Sequence, residues 1–113
     1  MEQYFEKMKE YLNMETEISF AEFRDYYNAF IEHLKGTYES LDQDQSIQAL
    51  FVIYNLESNC EYRAKRKDSE AKKYKKMQAS LNIWSAAMRL RLNKQGLSEK
   101  EISERLDAVM TAV

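Results

Sequence analysis

The chain has 113 residues and a mass of 13.5 kDa, the size of one domain, and folding at that length removes roughly two thirds of the unfolded surface from water. Hydrophobic residues make up 44% and charged residues 32%, which excludes a disordered chain, and no apolar run reaches the roughly 18 residues of a membrane span. Proline is absent and Gly36 and Gly96 are the only glycines, so the turns of sandwiches, barrels and Gly-rich phosphate loops are missing and helices remain.

Cys60 and His33 are the single cysteine and histidine. They rule out an internal disulfide and a zinc cage made by this chain alone. The opening residues, MEQYFEKMKEYL, scatter charge and lack the apolar core of a secretory signal. A reducing, cytoplasmic location is the expectation, and a lone thiol agrees with it.

Residues 2–14 place Tyr4, Phe5, Met8, Tyr11 and Leu12 on one stripe of an amphipathic helix. Ser19, with Glu22 three residues on, reads as a capping box, and Ile18 with Phe23 as a hydrophobic staple. These signals predict a helix over about 19–35, closed by Gly36 as the left-handed residue. Asp42 with Gln45 starts the next helix. Residues 47–56 and 77–92 are apolar almost all round, and 57–73 between them are polar. An antiparallel hairpin, with helices at about 42–66 and 69–95, reverses midway between 47–56 and 77–88, at residue 67, and Asp68 or Ser69 would cap the returning helix. Two alternatives compete. One is a single uninterrupted helix, supported by Glu61–Lys65 and Asp68–Lys72 at i,i+4; the other is a strand over 49–54, which has no turn chemistry beside it. Gly96 then closes a helix, and Ser98 with Glu101, and Leu97 with Ile102, open a last one at about 98–111. The expected fold is therefore all-α, a four- or five-helix bundle built on a long hairpin, in one domain.

Two features suggest binding. Tyr74, Met77, Leu81, Trp84 and Met88 follow the 3,4 spacing of a coiled-coil seam, and Ile83, Ala87 and Leu90 add a second apolar edge. The seam is either internal core or an interface with a second copy. Charge is uneven: residues 1–62 carry a net −9, residues 63–76 a net +6, and residues 77–113 a net +1. Arg63, Lys65, Arg66, Lys67, Lys72, Lys73, Lys75 and Lys76 should then crown the hairpin tip as a solvent-facing positive field. Such a field suits an acidic protein surface or phosphate, although no aromatic platform for nucleic acid accompanies it.

Catalytic chemistry is weakly represented. His33 has alanine three positions before it, where a di-iron Glu-x-x-His motif needs glutamate, and fits better as a cation near a helix C-terminus. Cys60 reads as an inert thiol, and the serines as caps. The expectation is a non-catalytic, regulatory or adaptor-like protein–protein interaction module that associates with itself as a homodimer. The alternative is a nucleic-acid-associated protein that touches phosphate through 63–76. No cofactor, metal, membrane or small-molecule substrate is indicated.

Overall fold

The computed structural model describes residues 1–113. Five α-helices follow one another, α1 (Glu2–Leu12), α2 (Phe20–Thr37), α3 (Gln43–Ala64), α4 (Ala71–Lys94) and α5 (Glu99–Ala112), with a 3-10 turn at Tyr38–Ser40 and no strand. Local chemistry explains most boundaries. The Asp42 carboxylate accepts the Gln45 N–H at 2.8 Å and the Gln45 side chain accepts the Asp42 N–H at 2.9 Å. Ser98 and Glu101 repeat this reciprocal cap on α5. Gly96 stands at φ +98, and the Leu97 N–H reaches back to the Leu92 carbonyl at 3.1 Å while the Gly96 N–H meets Asn93. That bond pair is the Schellman closure of α4.

Two expected boundaries and one expected capping box differ. Gly36 does not end α2; the helix runs through it to Thr37, whose hydroxyl donates to the His33 carbonyl at 2.7 Å. Ser19 accepts the Glu22 N–H at 3.1 Å, but the box is half made, because the Glu22 carboxylate is taken by the Tyr11 hydroxyl at 2.8 Å. Neither Asp68 nor Ser69 caps α4, whose N-cap is Glu70; the Asp68 carboxylate instead accepts the Glu70 N–H at 2.9 Å within the loop.

The chain does reverse between α3 and α4. Lys67, the residue midway between the two apolar blocks, has φ +54 and is the only non-glycine residue at positive φ. The helices on either side make the closest packing in the molecule. α3 lies at the centre, with Leu50, Phe51, Val52, Ile53 and Leu56 all buried. Side chains of this kind contribute about 1.5–3 kcal/mol each when fully removed from water. Buried residues from all five helices join one cluster, from Met8 of α1 to Ile102 of α5.

Polar ties fix the outer elements. The Tyr26 hydroxyl donates to the Tyr4 carbonyl at 2.6 Å and holds α1 on α2. Arg91 and Gln95 donate to the Leu41 carbonyl at 2.5 and 3.0 Å, which joins the end of α4 to the start of α3. Arg89 pairs with Glu99 at 2.6 Å, and Arg105 meets Gln43 at 2.8 Å and also pairs with Asp44, so α5 is fastened at two points.

Candidate interaction surfaces

The hairpin tip is less uniform than a count of charges implies. Arg63 does not face solvent: it is 4% exposed. At three positions after Cys60 and seven after Leu56 it falls on the buried stripe of α3, where its guanidinium carbon lies 4.7 Å from the Phe23 ring centroid and 5.6 Å from that of Tyr74. The aromatic faces accept the cation, and Nη1 donates to the Tyr74 hydroxyl at 2.9 Å.

Three further basic residues are neutralised. Arg66 grips Glu17 of the α1–α2 loop with two bonds of 2.5 and 2.6 Å. That bond, with the nearby Arg63 charge, holds the Glu17 carboxyl below the usual carboxylate range, and Glu17 raises the Arg66 pKa in turn. Lys73 pairs with Glu70 at 3.1 Å and Lys65 with Glu61 at 3.6 Å. Lys67, Lys72, Lys75 and Lys76 are exposed and belong to no ion pair. The field at the tip is thus carried by four lysines, three of them in the first two turns of α4.

The apolar seam resolves into two opposite faces of α4. Tyr74, Met77, Leu81 and Met88 are buried core. Trp84 is half-buried, with its ring edge-on to Tyr38 at 5.8 Å, and the Tyr38 hydroxyl donates to the Ala87 carbonyl at 3.4 Å. Of the expected second edge, Ile83 and Leu90 point away, whereas Ala87 is half-buried beside Tyr38. Ile83 is 73% and Leu90 54% exposed, and Ala79 and Ala86 are exposed between them. At about 100° per residue, Ala79, Ile83, Ala86 and Leu90 form a stripe diametrically opposite the core face. Lys72, Lys75 and Lys76 continue it toward the tip, and Lys94 stands beyond its other end.

Cys60 and His33 are both withdrawn from solvent, the first fully and the second in part. Cys60 is fully buried, and burial pushes its thiol up to about 12 despite the nearby Arg63. The His33 pKa is lowered by burial and then by the neighbouring N-terminal amine, the reverse of what a helix C-terminus alone does to it. No group of three or more His, Cys, Asp and Glu side chains is placed to hold a metal ion, and no helix is long and apolar enough to cross a membrane.

The burial of Arg63 and the exposure of the outer stripe are the two features that the sequence left open. The periodicity of Leu56, Cys60 and Arg63 was a usable signal for the first. For the second, both apolar edges of α4 were visible, and the 3,4 spacing they share did not say which would be covered. Comparison of the chain with protein families, curated proteins and solved structures finds no match.

Proposed function

We propose that this protein is a non-catalytic, regulatory or adaptor-like interaction module that associates with itself through the outer face of α4. The observation that carries this is the stripe of Ala79, Ile83, Ala86 and Leu90, apolar, regularly spaced and open to water. Large and small residues alternate along it. When a second copy is laid antiparallel on a two-fold axis, Ile83 meets the second copy's Ala86 and Leu90 meets its Ala79, so each large side chain faces a small one. One isoleucine and one leucine per copy make a short seam, so the pairing is weak and set by concentration. A lone, buried thiol suits a reducing, cytoplasmic setting.

The same alignment opposes Lys75 to the second copy's Lys94. Screening these like charges strengthens the pairing, so added salt should tighten the dimer, whereas a basic tip seated on an acidic surface would be weakened by salt. Sedimentation velocity over a range of concentrations, at low and high salt, tests this with Ile83→Glu and Leu90→Glu, both at exposed positions. A reversible dimer that each substitution abolishes supports the reading. A monomer at millimolar concentration, or a dimer indifferent to both changes, refutes it.

The reading in which 63–76 contacts nucleic acid draws on the four unpaired lysines. Each phosphate contact contributes roughly −0.9 to the logarithmic salt slope on duplex DNA, so four lysines cap the slope near −3.6. Electrophoretic titration of Lys72→Gln and Lys76→Gln together checks it, and an unchanged slope removes the tip as a contact.

A further inference from the structure

A cavity of about 240 Å³ opens between α1, the α1–α2 loop, α2 and α3. Met8, Phe23, Tyr26 and Leu56 make its inner wall and Met14 its rim. The one cation lining it is Arg63, more than nine-tenths buried. A guanidinium carries five N–H donors in a plane. In this one, Nη1 meets the Tyr74 hydroxyl, while Nε is sealed from water with no acceptor. Phe23 and Tyr74 pack edge-to-face against each other at 5.4 Å and both lie on one flank of the cation, which leaves its Nε and Nη2 without a bonded partner. The nearest carboxylate oxygen, Glu17 Oε2, stops at 3.9 Å, too far to bond, because Arg66 holds that carboxylate in a two-pronged grip. A buried charge in apolar surroundings is stabilised chiefly by an opposite charge with direct hydrogen bonds.

The geometry points to a binding site for a small monocarboxylate with an apolar body, the carboxylate on the edge of Arg63 and the body against Met8, Phe23 and Leu56. A planar carboxylate matches the guanidinium edge with paired bonds. Glu15 and Glu17 also line the cavity, and Glu17 is answered by Arg66, so Arg63 balances at most one further negative charge; a phosphate monoester, at about −1.5 to −2, would remain partly uncompensated. The volume lies just under the roughly 300 Å³ at which drug-sized pockets begin, which confines the occupant to a short chain or a single ring.

Sodium octanoate and octan-1-ol are matched probes. Titrated into the methyl-labelled protein and followed by NMR, octanoate should give saturable shifts at Met8, Met14 and Leu56 and bind at least tenfold more tightly than the alcohol. Arg63→Gln should erase the preference for acid over alcohol. Glu17→Gln removes the carboxylate nearest to Arg63, lies at an exposed position, and should tighten octanoate binding by threefold or more. Should Arg63→Gln fail to fold, the acid–alcohol contrast and the Glu17→Gln response decide alone. Equal affinity for acid and alcohol, shifts confined to the lysines of the tip, or octanoate binding weakened by Glu17→Gln would each overturn the assignment.

Discussion

Replacing Lys67 by glycine should stabilise the protein. Lys67 is exposed, lies outside every ion pair, and holds φ +54 at the reversal between α3 and α4. A left-handed backbone costs a residue with a Cβ roughly 1–2 kcal/mol, which glycine escapes. Glycine brings its own loss, about 0.5–1 kcal/mol, through greater freedom in the unfolded chain. The difference leaves a net gain of about 0.5–1 kcal/mol. An unfolding entropy of about 2.1 cal/mol/K per residue gives this chain roughly 0.24 kcal/mol/K, so Tm should rise by about 2–4 °C. Valine, whose branched Cβ is least tolerant of positive φ, should move stability the other way by about 1 kcal/mol. Circular dichroism at 222 nm during heating measures both. If Lys67→Gly left Tm unchanged or lowered it while Lys67→Val was neutral, the left-handed reversal at this residue would be wrong.

The two glycines should respond to alanine with opposite signs. Gly36 is inside α2 with nothing within 4 Å of an added Cβ, so Gly36→Ala should stabilise by about 0.5–1 kcal/mol. Gly96 at φ +98 has as much space, yet Gly96→Ala should destabilise by about 1 kcal/mol for backbone reasons; urea midpoints that move in the same direction for both would contradict the helix ends described above. In acid, the arginine-bonded carboxyls of Glu17 and Glu99 titrate below their ordinary value of 4.5, so the unfolded chain takes up their protons first as pH falls. The stability they contribute is complete above that value and is lost as pH drops through the lowered folded-state pKa. Glu57, raised by burial, slopes the opposite way above 4.5. Urea midpoints between pH 3 and 6 should therefore depend less steeply on pH in Glu17→Gln and in Glu99→Gln than in the parent, and parallel curves would exclude the ion pairs as the cause.

The features that proved legible in the sequence are those governed by neighbours along the chain. A cap is an interaction between residues three apart, so Asp42–Gln45 and Ser98–Glu101 could be read directly, as could the Gly96 closure. The reversal at Lys67 was legible from symmetry alone, since two apolar blocks can bury each other only when the polar stretch between them turns. Gly36 misled because a glycine favours a helix end but does not compel one; here the chain continues helically until the aromatic contact of Tyr38 with Trp84 anchors the turn that follows. Arg63 was hidden by its company, standing in a run of lysines while its position on α3 belonged with Leu56 and Cys60. Glu17 could not be found at all, because its bond to Arg66 spans 49 residues of chain. Likewise the two apolar edges of α4 were both visible, but only the packing of α3 decided which one would be covered.

The tightest interface in the molecule joins two helices that are consecutive in the chain and separated by a loop of only a few residues. Little entropy is lost in bringing them together, which makes this pair the natural nucleus of folding and gives the protein the low contact order of a fast folder. α1, whose tie to the nucleus spans a longer stretch of chain, condenses afterwards. Substitutions at Leu50, Ile53 or Leu81 should therefore slow folding itself, whereas those at Tyr4 or Tyr11 should chiefly hasten unfolding.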